Sequence, residues 1–186
     1  THTGLGRAHD KSGKDNNVRG ETVVENVLYY TKGSGGNGVN TVYFVATTGH
    51  ACPNGVGLPA PGAPLPTGPI AVNMANLASQ GVTPNNMCIL KGFNTALAAN
   101  TTNVFPFGIW FADSHTLYVA DEGNADTTYS PATGQYTGAA GQSNAGLQKW
   151  ILTGGSWQLA YVLTSGLKLG VPNAIASAAF GCIVDV

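Results

Sequence analysis

The chain is predicted to be all-β, built from antiparallel four-stranded meanders, and three observations carry that expectation. β-Branched and aromatic residues concentrate in two clusters, 22–45 and 105–163, separated by stretches rich in Gly, Asn and Pro. The second cluster repeats the first: Val27-Leu28-Tyr29-Tyr30-Thr31-Lys32-Gly33 lies at the same place as Thr116-Leu117-Tyr118-Val119-Ala120-Asp121-Glu122, an offset that sets Leu28 on Leu117. Within the second cluster, turn residues fall between runs of strand length, so consecutive strands are joined in order.

Taken along the chain, residues 1–20 hold Arg7, His9, Asp10, Lys11, Lys14, Asp15 and Arg19 with few apolar side chains, and read as an irregular lead-in. A first repeat is expected over 21–93, interrupted by a Pro-rich insertion at 48–85. There Pro53, Pro59, Pro61, Pro64, Pro66, Pro69 and Pro84 exclude regular strands over most of the stretch. Inside the insertion, Met74, Leu77 and Ala78 have helical spacing and predict one short helix over 70–80. Met87-Cys88-Ile89-Leu90 resumes a strand, expected as the outer strand of the first sheet.

The second repeat, 105–165, is plainer. Phe107 to Ala112 turns through Asp113-Ser114-His115 into Thr116 to Asp121, a loop occupies 124–144, and Leu147 to Leu152 turns through Gly154-Gly155. A Gly-Gly pair supplies the positive backbone angles of a tight hairpin. Trp157, Leu159, Tyr161 and Leu163 then take every second position, which predicts one buried face carrying four large side chains, with Gln158 facing the other way. The whole chain, 1–186, is expected to be a single domain.

A repeated four-stranded meander is the anatomy of a β-propeller blade. Leu117-Tyr118-Val119-Ala120-Asp121 resembles the Leu-Tyr-Val-Ala-Asp strand of NHL-type propellers. Gln148-Lys149-Trp150 and Trp157-x-Leu159-x-Tyr161 resemble uncharacterised propeller-like proteins related to that group. The resemblance covers about residues 20 to 165. It implies a ring of several blades, and with two blade-like repeats this chain would supply a partial ring or share an oligomeric one.

Only 9% of the 186 residues are charged and the net charge is −1. With no basic stripe and no long apolar run, neither nucleic acid nor a membrane is expected as a partner. Low charge, many small polar residues and the Asn100-Thr101-Thr102 sequon suit an extracellular or secreted protein. In that setting Cys52 and Cys88, at the two ends of the Pro-rich loop, form the natural disulfide, leaving Cys182 over.

No catalytic motif stands out. Gly33-Ser34-Gly35-Gly36-Asn37-Gly38 spells a dinucleotide fingerprint but runs into the strand-like Val39 to Val45 instead of the helix that would hold a pyrophosphate, so it reads as a hairpin loop. Asp121, Glu122, Asn124 and Asp126 crowd carboxylate and amide oxygens at a strand end, the donor set of a calcium site, against the plainer reading of a solvated turn. Propeller hydrolases are similar in using a metal at the central tunnel. Tyr129 and Tyr136 stand among small polar residues in the 124–144 loop, the mixture that suits adaptable contact with a protein or carbohydrate ligand. These features favour an extracellular binding or interaction module acting through the long loops 48–85 and 123–145 over its alternatives, a metal-assisted hydrolase or lactonase-like enzyme and a self-associating structural protein that forms homo-oligomers.

Overall fold

A computed structural model describes residues 18–33, 39–45, 55–60, 87–96, 105–123, 129–132, 135–136, 145–163 and 165. Among these residues the fold is all-β and contains no helix. The first sheet comprises β1 (Val18–Val24), β2 (Val27–Lys32), β3 (Thr41–Val45), β4 (Val56–Gly57) and β5 (Met87–Leu90), in the order β1-β2-β3-β5-β4. The second comprises β6 (Pro106–Asp113), β7 (Thr116–Asp121), β10 (Gly146–Thr153) and β11 (Ser156–Leu163), in the order β11-β10-β7-β6. Between β7 and β10, β8 (Tyr129–Ser130) and β9 (Gln135–Tyr136) pair as a separate two-stranded ladder. Each large sheet therefore contains an antiparallel four-strand meander in chain order, and the described residues do not close a ring.

Local chemistry fixes the turns. Glu25 and Asn26 both have positive φ, 49° and 62°, which gives the twist a two-residue hairpin between β1 and β2 requires. Gly154 and Gly155 do the same between β10 and β11 at φ 58° and 72°. At the β6–β7 turn the Asp113 carboxylate accepts a 2.7 Å hydrogen bond from the His115 backbone N–H, the Asx closure that favours Asp in turns. Two expectations shift here. β1 begins at Val18, inside the 1–20 lead-in, and β5 is not the outer strand: Val56 and Gly57, within the Pro-rich insertion, add to it in parallel. The helix expected over 70–80 lies outside the described residues.

The sheets pack face to face with β6 beside β1 and β2. Tyr29 lies 4.5 Å from Phe111 between ring centroids, Phe111 meets Trp157 edge-on at 5.8 Å, and Phe93 stacks on Trp150 at 4.0 Å. Val27, Val42, Phe44, Leu90, Leu117 and Val119 complete this shared core. Burying each such side chain contributes roughly 1.5–3 kcal/mol, so the interface is a main source of stability. Thr31 ties the inner strands together: its hydroxyl accepts from Gly20 N–H at 2.9 Å and donates to the Phe107 carbonyl at 2.6 Å. The opposite rim is joined where Trp157 N–H donates to the Lys91 carbonyl at 2.9 Å. Gly92 sits there at φ 110°, where a Cβ would run into the Trp157 carbonyl.

The face expected from Trp157, Leu159, Tyr161 and Leu163 is divided. Trp157 pairs with Leu152 and Leu159 with Trp150, on the side of the core, but the next pair is Tyr161 with Lys149, leaving Ala160 as an extra residue. A β-bulge of this kind breaks period two by one residue. Tyr161 and Leu163 therefore point away from the first sheet, and Leu159, on the outermost strand, is 47% exposed.

Candidate functional site

The acidic run begins as a buried structural element. β7 alternates, with Leu117, Val119 and Asp121 turned inward, so Asp121 is only 2% exposed. Its Oδ1 accepts from Gly123 N–H at 2.8 Å, and both carboxylate oxygens accept from Phe105 N–H, at 3.2 and 3.3 Å. The Glu122 N–H donates in turn to the Phe105 carbonyl at 2.9 Å, so this carboxyl clamps the chain entering β6 to the end of β7. Burial pushes the Asp121 pKa up to about 7 despite those hydrogen bonds. Burial also raises Glu122, with the Arg19 charge opposing it.

A carboxyl titrating near neutrality has the proton affinity of a general acid or base, yet its oxygens are occupied by backbone donors. The solvated-turn reading fails for Asp121 and Glu122, because both are buried, at 2% and 7% exposure. Asn124 and Asp126 lie outside the described residues. Among the described residues no three His, Cys, Asp or Glu side chains assemble in a way that could hold a metal ion.

The other expected positions are distributed unevenly. Tyr129 and Tyr136, read as loop residues, are directly opposed partners in the β8–β9 ladder. Cys88 is fully buried and its sulfur is engaged, not a free thiol, whereas Cys52 and Asn100 lie outside the described residues.

Sequence reasoning misses a row of side chains on the outer face of the second sheet. Trp110 on β6 pairs with Tyr118 on β7, Tyr118 with Lys149 on β10, and Lys149 with Tyr161 on β11. One residue from each strand thus stands in line across the sheet. Trp110 is 61% and Tyr161 48% exposed. The Trp110 and Tyr118 rings are 5.7 Å apart, and Lys149 Nζ lies 6.0 Å from the Tyr118 ring and 5.7 Å from that of Tyr161. A hydrogen bond between the Tyr118 and Tyr161 side chains raises the Tyr161 phenol above its ordinary pKa. Exposed Ile151 and Leu163 extend the same face on either side of the row. Isolated apolar residues are normal on a protein exterior, so a run of aromatic and apolar side chains with one cation in it makes this face the candidate contact surface.

Comparison with known proteins finds no family model, no curated protein and no solved structure that matches the chain.

Proposed function

We propose that this chain is a non-catalytic interaction module of propeller-like fold, working outside the cell, and that the outer face of its second sheet is the binding surface. Support for the architecture comes from two antiparallel meanders stacked face on face with their first strands adjacent, the relation of neighbouring propeller blades. One observation carries the functional reading: the outward-facing row Trp110, Tyr118, Lys149 and Tyr161, with its two end residues exposed and its central two half-buried, in which three rigid rings offer contact area at little entropic cost. A protein ligand fits better than a carbohydrate, because the patch is a broad sheet face rather than a groove lined with polar groups. The extracellular assignment rests on low charge and the Asn100 sequon, and it carries with it the expected disulfide between Cys52 and Cys88.

Peptides displayed on phage and selected on the wild-type chain test this. They are expected to lose binding to a Trp110→Ser, Tyr161→Ser double variant of unchanged circular dichroism. Peptides that bind both proteins equally would sink the assignment, as would retention of the chain on cellulose, chitin or xylan through the same two residues.

A second reading, the metal-assisted hydrolase, is favoured by the near-neutral pKa of Asp121 alone. It requires calcium to bind the folded state and therefore to raise the melting temperature. No rise is expected, since the Asp121 oxygens are already committed; a rise abolished by Asp121→Asn would favour the enzyme.

A further inference from the structure

We propose that the outer face of the second sheet pairs with the same face of a second copy of this chain, an inference that rests on reading that face as an interaction surface. The repeat shows what such a face does. In the first sheet the equivalent row is Tyr29, Phe44 and Cys88, directly paired across β2, β3 and β5. That row is buried, and Tyr29 packs on Phe111 of the second sheet. Tyr118, Lys149 and Tyr161 occupy the corresponding places one sheet further on, and among the described residues no sheet lies over them. The row pattern is therefore one that this fold already covers with another sheet.

A second copy cannot supply its first sheet as that cover. The far side of that sheet carries Tyr30, Tyr43 and Ile89, all buried, with the Tyr30 and Tyr43 rings stacked at 5.0 Å. Head-to-tail addition is blocked, which leaves the outer face of the second sheet as the largest cluster of exposed apolar side chains a second copy offers among the described residues.

Two such faces are complementary about a two-fold axis parallel to the strands. This operation reverses strand order, so β6 lies over β11 of the second copy and β7 over β10. Trp110 then stands over Tyr161 of the second copy, and Lys149 over its Tyr118. The pairing is isologous, each contact occurring twice, and every Lys149 faces an aromatic ring rather than its own equivalent. Strands of eight residues in a four-stranded sheet give a face on the order of 500 Å². Two faces reach roughly 1,000 Å², the lower edge of specific interfaces, so the dimer is concentration-dependent.

Sedimentation velocity from micromolar to millimolar chain tests this, with acrylamide quenching of tryptophan emission at each concentration. Wild type is expected to move from monomer to dimer while Trp110 becomes less accessible. Lys149→Arg should associate similarly. The Trp110→Ser, Tyr161→Ser pair should weaken association at least tenfold with an unchanged melting curve, and Lys149→Glu should weaken it too. A wild type that stays monomeric overturns the dimer; if its Trp110 is readily quenched, the surface is free for another ligand and the interaction reading stands. If Trp110 is shielded in the monomer, both fall. Association undiminished in the double variant also overturns the dimer, since another surface would then mediate it.

Discussion

Asp121 should make the protein less stable as pH rises from 5 to 8, the reverse of what a surface carboxylate in an ion pair would do. Burial moves its pKa from the ordinary 3.8 to about 7, so the folded chain holds this proton more tightly than the unfolded chain. Where the native state binds more protons, unfolding free energy falls with increasing pH. The loss starts near pH 4, where the unfolded chain ionises, and levels off above about pH 7, where the folded chain has ionised too. At about 1.4 kcal/mol per tenfold difference in proton affinity, the interval corresponds to about 4 kcal/mol in full. Roughly 2–3 kcal/mol of it falls between pH 5 and 8. Glu122, raised in the same direction, adds to the slope. Asp121→Asn keeps an oxygen for the Gly123 and Phe105 N–H groups and removes the charge. Urea unfolding followed by circular dichroism at pH 5, 6, 7 and 8 should therefore give a flatter profile for the variant, with the variant gaining on wild type toward pH 8. Parallel profiles would refute the reasoning, as would a wild type whose stability increases over this range through the same residue.

Other substitutions probe the packing directly. Gly92→Ala should cost about 3 kcal/mol or more, measured by chemical denaturation, because residue 92 has φ 110° and a Cβ there meets the Trp157 carbonyl. Leu117→Ala, at a fully buried position, should cost about 2–5 kcal/mol, whereas Leu159→Ala, 47% exposed, should cost about 1 kcal/mol or less. Peptide mapping without reductant should recover Cys88 linked to Cys52, and reduction should lower stability by about 3–4 kcal/mol; a Cys88–Cys182 peptide would contradict the pairing.

The strands legible in the sequence were those whose signals are local. β7 announces itself through the alternation of Leu117, Val119 and Asp121, and the β10–β11 hairpin through Gly154 and Gly155. The parallel addition of Val56 and Gly57 to β5 leaves no such trace, because two residues show no period and their partners, Ile89 and Leu90, are more than thirty positions away. Asp121 misleads for a similar reason. Beside Glu122 and Gly123 it reads as a wet turn, and only the arrival of Phe105 and β10 makes it a buried clamp.

The aromatic row was illegible for a more specific reason, and the same cause places it on the surface. Counting back from the β6–β7 turn in strict alternation pairs Phe111 with Tyr118. In the structure Ala112 is passed over, Phe111 pairs with Leu117, and Trp110 with Tyr118. Ala160 is passed over in β11 in the same way, and Tyr161 comes to face Lys149. Both extra residues are alanines on the two edge strands, where bulges re-aim side chains with least disturbance to the ladder. The Ala112 bulge sends Phe111 into the core and Trp110 outward; the Ala160 bulge leaves Trp157 inside and sets Tyr161 outside. Without them Tyr118 would be flanked by Phe111, at the expense of the core, and Lys149 by Ala160 in place of the Tyr161 ring. The second sheet thus keeps an aromatic inner face for the first sheet and acquires an aromatic outer face. A sheet apolar on both sides is suited to being covered twice, which is why the side that no sheet covers among the described residues is read as a binding surface.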